Sequence, residues 1–195
     1  METAQTPELR SVGAQVCAER TVQSQDSPPK DAQLVVELQA FTASMAAFPT
    51  GVTIVTTLDE EGLPVGLTCN AFMSVSVDPP LVLVSVDRTS NTLPALQRSH
   101  HFVVNFLAAG REALALRFAG KGDDKFADSL WAPTETHGLP VLHDDSVAHI
   151  ACEVVNEIEA GDHILFLGRV YEAKPPDPDS LPLLYFRRTF DRWPM

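Results

Sequence analysis

The feature that most constrains the fold is a segment in which small polar and apolar residues alternate before a proline break. The segment reads Gly66-Leu-Thr-Cys-Asn-Ala-Phe-Met-Ser-Val-Ser-Val77 and is followed by Asp78-Pro-Pro80. A period of two predicts a β-strand with one face polar enough to line a groove. Because proline cannot donate to a sheet ladder, this strand ends at the prolines, and the apolar run 81–86 predicts a second, buried strand.

Strand and helix patterns are interspersed along the rest of the chain. Residues 50–58 are β-branched and meet a turn at 59–62, whereas 31–47 carry apolar residues at helical spacing between a capping Asp31 and Pro49. We expect the apolar stripe of this helix to pack against a barrel. Further strands are predicted at 102–107, 146–158, 163–171 and 183–187, and further helices at 89–98 and 111–119. This mixture predicts a mainly β fold with flanking helices, arranged as a closed antiparallel barrel.

The N-terminal segment differs in composition from the rest of the chain. Residues 1–30 are rich in Gln, Ser, Thr, Glu and Pro and hold few large apolar side chains, so burial does not offset the entropy lost on ordering them. We expect a flexible tail at 1–30 and one compact domain at 31–195, long enough to bury a core without disulfides or metals. The alternative for the tail is a short helix at 9–20 that docks on a partner subunit.

Charge and hydropathy exclude some classes of function. A net charge of -12 argues against a nucleic-acid interface, which needs a basic face. No apolar run approaches the roughly 20 residues that span a bilayer, and the N-terminus has no apolar signal core. Cys17, Cys69 and Cys152 lack paired spacing, which favours reduced thiols over a disulfide frame or a zinc site. We therefore expect a cytoplasmic protein that binds neither nucleic acid nor membranes.

One short pattern could bind a phosphate. The helix at 89–98 follows hydroxyl residues and has Pro94 in its first turn, so its free N–H groups and positive dipole end could hold an anion. The alternative is an ordinary capped helix. The sequence contains no Gly-Lys-Ser/Thr phosphate loop and no Gly-x-Gly-x-x-Gly after a strand, so P-loop and Rossmann sites are unsupported.

Two other sets of side chains could carry reactive chemistry. Cys69, His163 and an aspartate could form a nucleophile set after folding, although such a cysteine is more often a small residue beside a ligand. The segment 143–149 contains two histidines and two aspartates, but it matches no strong metal-ligand spacing, so we expect a turn and no metal. The chain also lacks the elbow sequence of a serine hydrolase.

Five segments in a fixed order carry a resemblance to a known family. They are Phe48-Pro-Thr-Gly-Val-Thr-Ile-Val-Thr56, Thr68-Cys-Asn-Ala-Phe-Met-Ser-Val-Ser76 with Asp78-Pro-Pro-Leu-Val-Leu83, Ser90-Asn-Thr92, Phe102-Val-Val-Asn105 and Gly161-Asp-His163. With them, the chain from about 41 to 193 resembles the flavin reductase-like family, the FMN-binding split barrels that reduce free flavin for two-component monooxygenases.

The resemblance implies a fold, an activity and partners. The implied fold is an antiparallel, Greek-key-like split β-barrel. The implied activity is hydride transfer from NADH or NADPH to FMN or FAD, and the reduced flavin is supplied to a flavin-dependent monooxygenase by transient contact or free diffusion. Members of the family are usually homodimers with the flavin site near the subunit interface, to which the helix at 31–47 would contribute.

The resemblance also implies roles for individual residues. The flavin would be bound by Gly51, Val52, Thr53, Thr68, Cys69, Asn70, Ala71, Ser74, Ser76, Ser85, Val86, Arg88, Ser90, Asn91 and Thr92. Residues 68–71 would border the ring, whereas Arg88 and residues 90–92 would take the phosphate. The nicotinamide side would be formed by His163, Tyr185, Phe118 and Lys125. His163 is the catalytic candidate, and its alternative is a hairpin histidine without a role.

The sequence departs from the family pattern in two places and leaves two rival functions open. Ala71 stands where the family often has serine, so one hydrogen bond to the ring is missing or comes from the backbone. The segment 134–145 is less typical, which leaves the choice between NADH and NADPH open. The rivals are a protein that retains FMN without turnover, as a sensor or electron carrier, and a barrel with a non-redox accessory role.

Overall fold

The computed structural model of the chain describes residues 36–122, 124–127, 129–176 and 178–192. The predicted tail at 1–30 and the predicted helix cap Asp31 lie outside this part. The helices are α1 (Leu38–Ala46), α2 (Leu93–Ser99) and α3 (Glu112–Ala119). The strands are β1 (Thr50–Gly51), β2 (Thr53–Leu58), β3 (Pro64–Cys69), β4 (Phe72–Val77), β5 (Pro80–Asp87), β6 (His101–Leu107), β7 (Ala132–Pro133), β8 (Pro140–Val141), β9 (Ser146–Ala160), β10 (His163–Lys174), β11 (Leu183–Phe186) and β12 (Thr189–Arg192). The prediction of a mainly β protein with flanking helices is confirmed.

Seven strands form one antiparallel sheet in the order β3-β2-β6-β9-β10-β5-β4. This order places β3 and β4 at opposite edges, although only Asn70 and Ala71 separate them along the chain. The two edges must therefore approach each other. The backbone N–H of Ser85 in β5 donates to the carbonyl of Ala71 at 3.0 Å. The sheet thus curls back on itself, and the ladders among the described residues leave it open between β3 and β4.

The segment that most constrains the fold forms two strands rather than one. Cys69 pairs with Thr53 in β2, whereas Phe72 pairs with Val84 in β5. Cys69 is buried and the two residues after it are exposed, which interrupts the alternation that a single strand requires. The prediction of one strand over 66–77 is therefore wrong. The residues between β3 and β4 are left outside both ladders, where their side chains are free to contact a ligand.

Helix α1 is shorter and more exposed than the sequence predicted. It begins at Leu38, because Glu37 has an extended backbone and provides no side-chain cap. None of its residues is buried, and the side chains of Phe41 and Met45 are 54% and 52% exposed. The predicted packing of its apolar stripe is wrong for the described part of the chain, because a cleft separates these side chains from the sheet. None of the described helices is long and apolar enough to cross a membrane.

Two clusters of buried apolar side chains attach α2 and α3 to the sheet. One contains Phe102, Phe166 and Leu96 of α2, and the other contains Phe118 of α3. Gly168 lies against the Phe102 ring so closely that a Cβ atom there would be 2.6 Å from the ring carbon Cζ. These contacts fix both helices where the sequence predicted helices.

Asn105 lies within β6 and is completely buried. Its Nδ2 donates to the Ile54 carbonyl and to Thr56 Oγ1, both at 3.1 Å. Its Oδ1 accepts from the Leu142 N–H at 2.9 Å. Because buried amide groups require hydrogen-bond partners, this one side chain joins β2, β6 and the segment after β8. Asn105 belongs to one of the five segments that carry the family resemblance, and here it has a structural role.

A smaller sheet contains β1, β11 and β12, and its hairpin turn borders a cleft of about 750 Å³. Phe186 pairs with Thr189, so the turn consists of Arg187 and Arg188. Both have positive φ angles, 50° and 63°, in the left-handed region that favours glycine and asparagine. The sequence did not predict β12, because no Gly, Asn or Pro marks this turn.

Candidate functional site

Three clefts meet at Asn70, between the two edges of the sheet, and we call them the ring clefts. The largest, of about 750 Å³, lies between α1, residues 70–73 and the β11–β12 hairpin. The second, of about 570 Å³, lies between residues 48–53 and β6. The smallest, of about 300 Å³, lies between Thr68, α3 and the hairpin. Asn70 borders all three, so its amide is the common element of the candidate site.

Seven of the residues predicted to bind the flavin line these clefts, together with Tyr185, which was predicted for the nicotinamide side. They are Gly51, Val52, Thr53, Thr68, Asn70, Ala71, Ser85 and Tyr185. Within the described part of the chain, the side chains of Asn70 and Ser85 have no hydrogen-bond partner. The hydroxyls of Thr53 and Thr68 donate to main-chain carbonyls at 2.5 and 2.6 Å, which leaves them only as acceptors for a ligand. Asn70 and Ser85 are therefore available as donors.

Thr50 is a cleft residue that the sequence did not single out. It lines the two larger ring clefts, and its buried Oγ1 has no hydrogen-bond partner among the described residues. A buried polar group without a partner costs about 1–3 kcal/mol, but this oxygen is closed to solvent, so a ligand in the clefts as they stand does not reach it. Thr50 directly precedes the predicted flavin residue Gly51. The sequence pattern did not distinguish Thr50 from the other threonines of the strand, so no role was predicted for it.

The predicted phosphate residues are only partly brought together. Ser90 and Asn91 line a cleft of about 180 Å³ with Lys121 and Lys125, which we call the phosphate cleft. Thr68 borders both this cleft and the smallest ring cleft. A ligand could therefore extend from the ring clefts to a polar end that carries two lysines.

Arg88 and Thr92 are engaged in other contacts. Arg88 Nε donates to the Gly161 carbonyl at 3.1 Å, and its guanidinium pairs with Glu159 at 3.2 Å. Thr92 is buried, and its hydroxyl donates to the Gly66 carbonyl at 2.9 Å. Neither residue lines the phosphate cleft, so their predicted phosphate contacts have no support in this geometry.

Four other predicted flavin residues do not line these clefts. Cys69 and Val86 are buried in the core, and Ser74 and Ser76 lie on the edge strand β4. Burial raises the pKa of the Cys69 thiol, and its Sγ lies 3.5 Å from a carbonyl oxygen of β5. Because a buried, protonated thiol is a weak nucleophile, this geometry argues against a nucleophile set with His163.

His163 is the first residue of β10 and lines none of these clefts. Its Nδ1 lies 2.7 Å from Asp162 Oδ1, and this hydrogen bond lowers the pKa of the Asp162 carboxyl. Across the sheet His163 pairs with Asp87, which borders the phosphate cleft. His163 is therefore closer to the predicted phosphate end than to the ring clefts.

Phe118 and Lys125 line the phosphate cleft. Phe118 is fully buried. Lys125 Nζ donates to the carbonyls of Gly66 and Phe118, both at 3.0 Å, and burial lowers the pKa of this ammonium. Two carbonyl acceptors leave the third ammonium N–H for a ligand.

The segment 143–149 has the geometry of a turn. A short 3-10 helix spans 143–145, and Asp145 pairs with Arg111 at 3.0 Å. The rings of His143 and His149 lie 5.1 Å apart. Among the described residues, no three His, Cys, Asp or Glu side chains are grouped closely enough to hold a metal ion.

Comparison with known proteins identifies the family to which this chain belongs. The sequence profile described as "Flavin reductase like domain" matches residues 45–194. This chain belongs to the flavin reductase-like family. The match confirms the resemblance that the five ordered segments indicated.

Relatives within the flavin reductase-like family cover most of the chain. A flavin reductase (NADH) from Kitasatospora aureofaciens is 43% identical over 175 residues, which is 86% of this chain and 92% of the relative. The reductase subunit HsaB of a flavin-dependent monooxygenase from Rhodococcus jostii is 38% identical over 152 residues, 78% of this chain and 76% of the relative. The NADH:FAD oxidoreductase SgcE6 of Streptomyces globisporus, solved with NAD and FAD fragments, has a TM-score of 0.74 at 34% identity and covers 88% of this chain and 98% of its own.

The residues of the clefts fit the flavin for which the flavin reductase-like family is named. A flavin ring is flat, with polar atoms along one edge, and the ring clefts offer apolar walls from Phe72 and Tyr185 beside the Asn70 amide. At the other end, the phosphate cleft supplies the ammonium of Lys125. This donor set suits a flavin nucleotide.

Proposed function

We propose that this protein is an NAD(P)H-dependent flavin reductase that transfers a hydride from NADH or NADPH to FMN or FAD. The observation that carries the proposal is the set of ring clefts at Asn70, which combines apolar walls with unpaired polar groups. Among the described residues that line the ring clefts there is no carboxylate, histidine or lysine. Hydride transfer between two cofactors needs no such group, because the protein has only to position the two rings.

The residues of the site bind and orient the cofactors rather than form bonds with them. A bound flavin supplies the electron-poor ring that accepts the hydride. The Asn70 amide and the Ser85 hydroxyl would donate to the polar edge of that ring, and such fixed donors stabilise the electron-rich reduced form. Phe72 and Met73 line one side of the largest ring cleft and would shield a ring bound there from water. Ser90, Asn91 and Lys125 would bind the phosphate that FMN and FAD share.

We also propose that the protein is a homodimer that supplies reduced flavin to a monooxygenase. Apolar side chains on α1 and β4 are exposed: Phe41 by 54%, Met73 by 56% and Val77 by 93%. Exposed apolar groups in one region commonly mark an interface, and a second copy would cover the outer wall of the largest ring cleft.

The likeness to a monooxygenase reductase subunit supports the enzyme partner. The buried free thiols Cys69 and Cys152 are consistent with a reducing compartment such as the cytoplasm.

The decisive experiment is to measure nicotinamide oxidation by the purified protein with and without added flavin. NADH and NADPH are each combined with FMN, FAD or riboflavin, and loss of the reduced-nicotinamide absorbance is followed. We expect flavin-dependent oxidation over many turnovers. The rates with FMN, FAD and riboflavin show which flavin the protein reduces fastest. Tight flavin binding without turnover would favour the sensor or electron carrier, and neither binding nor turnover would favour a non-redox protein.

Replacing His163 with alanine tests the nicotinamide role. We expect His163→Ala to lower kcat/KM for NADH by about tenfold through loss of the nicotinamide contact that the family resemblance implies. The Kd of FMN should stay unchanged, because His163 lines none of the clefts proposed to hold the flavin. Steady-state kinetics and flavin titration measure the two effects. The control is His137→Ala, an exposed histidine that lines none of the clefts. Unchanged turnover in His163→Ala would show that His163 has no such role.

Replacing Ser90 with aspartate tests the phosphate cleft. The Ser90 hydroxyl accepts the Thr92 N–H at 3.3 Å, a contact that a carboxylate can also make, so the start of α2 is preserved. The added charge repels the flavin phosphate, and we expect the Kd of FMN to rise about tenfold or more. Riboflavin, which has no phosphate, should bind with unchanged affinity, and Ser90→Ala should have a smaller effect on FMN. Equal FMN affinity for wild type and Ser90→Asp would move the phosphate site elsewhere.

A further inference from the structure

Arg188 carries a positive charge at the ring clefts, and the proposed hydride transfer assigns no role to this charge. It lines the largest and the smallest of them, and among the described residues that line either cleft it is the only charged one. Its exposed guanidinium makes no ion pair or hydrogen bond within the described part of the chain. The protein has a net charge of -12, and an arginine without a carboxylate partner beside a cleft gives that cleft a local positive charge that can attract an anionic ligand.

The backbone at Arg188 gives independent support. Arg187 and Arg188 occupy both positions of the two-residue turn with φ angles of 50° and 63°, and glycine or asparagine adopts this conformation with less strain. Nowhere else among the described residues do two successive non-glycine residues have positive φ. Strained residues cluster at functional sites, and of the two residues in this turn only Arg188 lines a ring cleft.

The location of Arg188 decides which anion it would bind. The flavin phosphate is proposed to lie in the phosphate cleft with Ser90, Asn91 and Lys125, and Arg188 does not line that cleft. A different phosphate must therefore reach the hairpin. The diphosphate of a reduced nicotinamide dinucleotide supplies such a group, and so does the adenosine-side phosphate of FAD, which FMN lacks. The planar fork of a guanidinium matches two phosphate oxygens.

We propose that Arg188 is a specificity-determining residue that binds a phosphate present in a dinucleotide and absent from the matching mononucleotide, in either the reduced nicotinamide dinucleotide or FAD. Its effect is to favour dinucleotides over mononucleotides. This inference rests on the proposed function for the use of the ring clefts, but it concerns binding and is tested without turnover.

The test compares Arg188→Gln with Arg187→Gln, which removes the same charge from the neighbouring position of the same turn. Arg187 lines none of the described clefts, and its guanidinium lies 5.0 Å from the centre of the Phe186 ring. NADH and reduced nicotinamide mononucleotide are titrated into flavin-free protein by calorimetry, as are FAD and FMN. We expect Arg188→Gln to weaken binding of at least one dinucleotide by about tenfold or more, with the matching mononucleotide unchanged. Arg187→Gln should change neither.

The two dinucleotides identify the source of the phosphate. A loss confined to NADH assigns the site to the nicotinamide substrate, and a loss confined to FAD assigns it to the flavin; both results support the proposal. Equal losses for dinucleotide and mononucleotide, equal losses in the two variants, no loss at all, or no measurable dinucleotide binding by the wild type would overturn it. Absence of flavin-dependent NADH oxidation alone would count against the proposed function and leave this binding result standing.

A second substitution separates the side chain from the strained backbone. Arg188→Gly removes the guanidinium at a position where glycine is unstrained, so the melting temperature should be equal to or higher than that of the wild type. Its dinucleotide affinity should fall as much as that of Arg188→Gln. Full affinity in a folded Arg188→Gly protein would show that the arginine side chain is not needed for binding.

Discussion

Replacing Ala71 with tryptophan is expected to abolish flavin binding and to leave the fold intact. Ala71 is exposed and lines the largest ring cleft beside Asn70, so an indole there occupies the space that a flavin ring needs. The hydrogen bond from Ser85 to Ala71 uses the main chain and survives the change. We expect the Kd of FMN to rise about 100-fold or more, which corresponds to about 2.7 kcal/mol. Quenching of flavin fluorescence measures this affinity.

A tryptophan on another part of the same sheet provides the control. Ala173 in β10 is exposed and lines none of the described clefts, so Ala173→Trp should bind FMN as the wild type does. Circular dichroism should be the same for both variants, which shows that any loss is local. Wild-type FMN affinity in Ala71→Trp would exclude the largest ring cleft as the flavin site.

Replacing Asn105 with alanine is expected to cause a large loss of stability. The amide makes three hydrogen bonds inside a completely buried site, and its removal leaves the Leu142 N–H and the Ile54 carbonyl without this partner. Each buried group left unpaired costs about 1–3 kcal/mol, so we expect the free energy of unfolding to fall by about 3 kcal/mol or more. That is a large share of the roughly 5–15 kcal/mol typical of folded domains. Urea denaturation measures the change.

The matched control is another asparagine of the same sheet. Asn156 in β9 is exposed, and Asn156→Ala should change the free energy of unfolding by about 0.5 kcal/mol or less. A loss of under about 1 kcal/mol in Asn105→Ala would mean that the neighbouring groups find new partners. The structural role of Asn105 would then be minor.

The sequence predicted those strands whose pattern is complete within the strand itself. The alternation at 146–158 and the apolar runs at 81–86 and 163–171 appear as β9, β5 and β10, because side-chain direction in a strand depends only on position. The break at Asn70 and Ala71 was not predictable in this way. It depends on the pairing of β3 with β2 and of β4 with β5, and such pairing is a property of the folded sheet.

The site was predicted where residue type alone carries the chemistry. Asn70 belongs to the segment of small polar residues that is unusual for a strand, and Ser85 was identified from the family resemblance; both line the largest ring cleft. Arg188 was missed, because its significance comes from a turn that only the folded chain reveals. The same holds for α1. The periodicity of its sequence predicts an apolar stripe but does not specify which part of the protein covers that stripe.

The connection between β3 and β4 has a consequence for the order of folding. Two residues join the edges of the sheet, yet those edges approach each other only after the central strands have paired, and the ladder between β6 and β9 joins residues as distant as His101 and Glu153. Contacts of such long sequence separation form slowly, because their loop entropy is lost before they are made. The pocket at Asn70 is therefore completed late. A ligand bound there selects the fully curled chain over partly folded forms, and by mass action it should raise the stability of the whole domain rather than that of one loop.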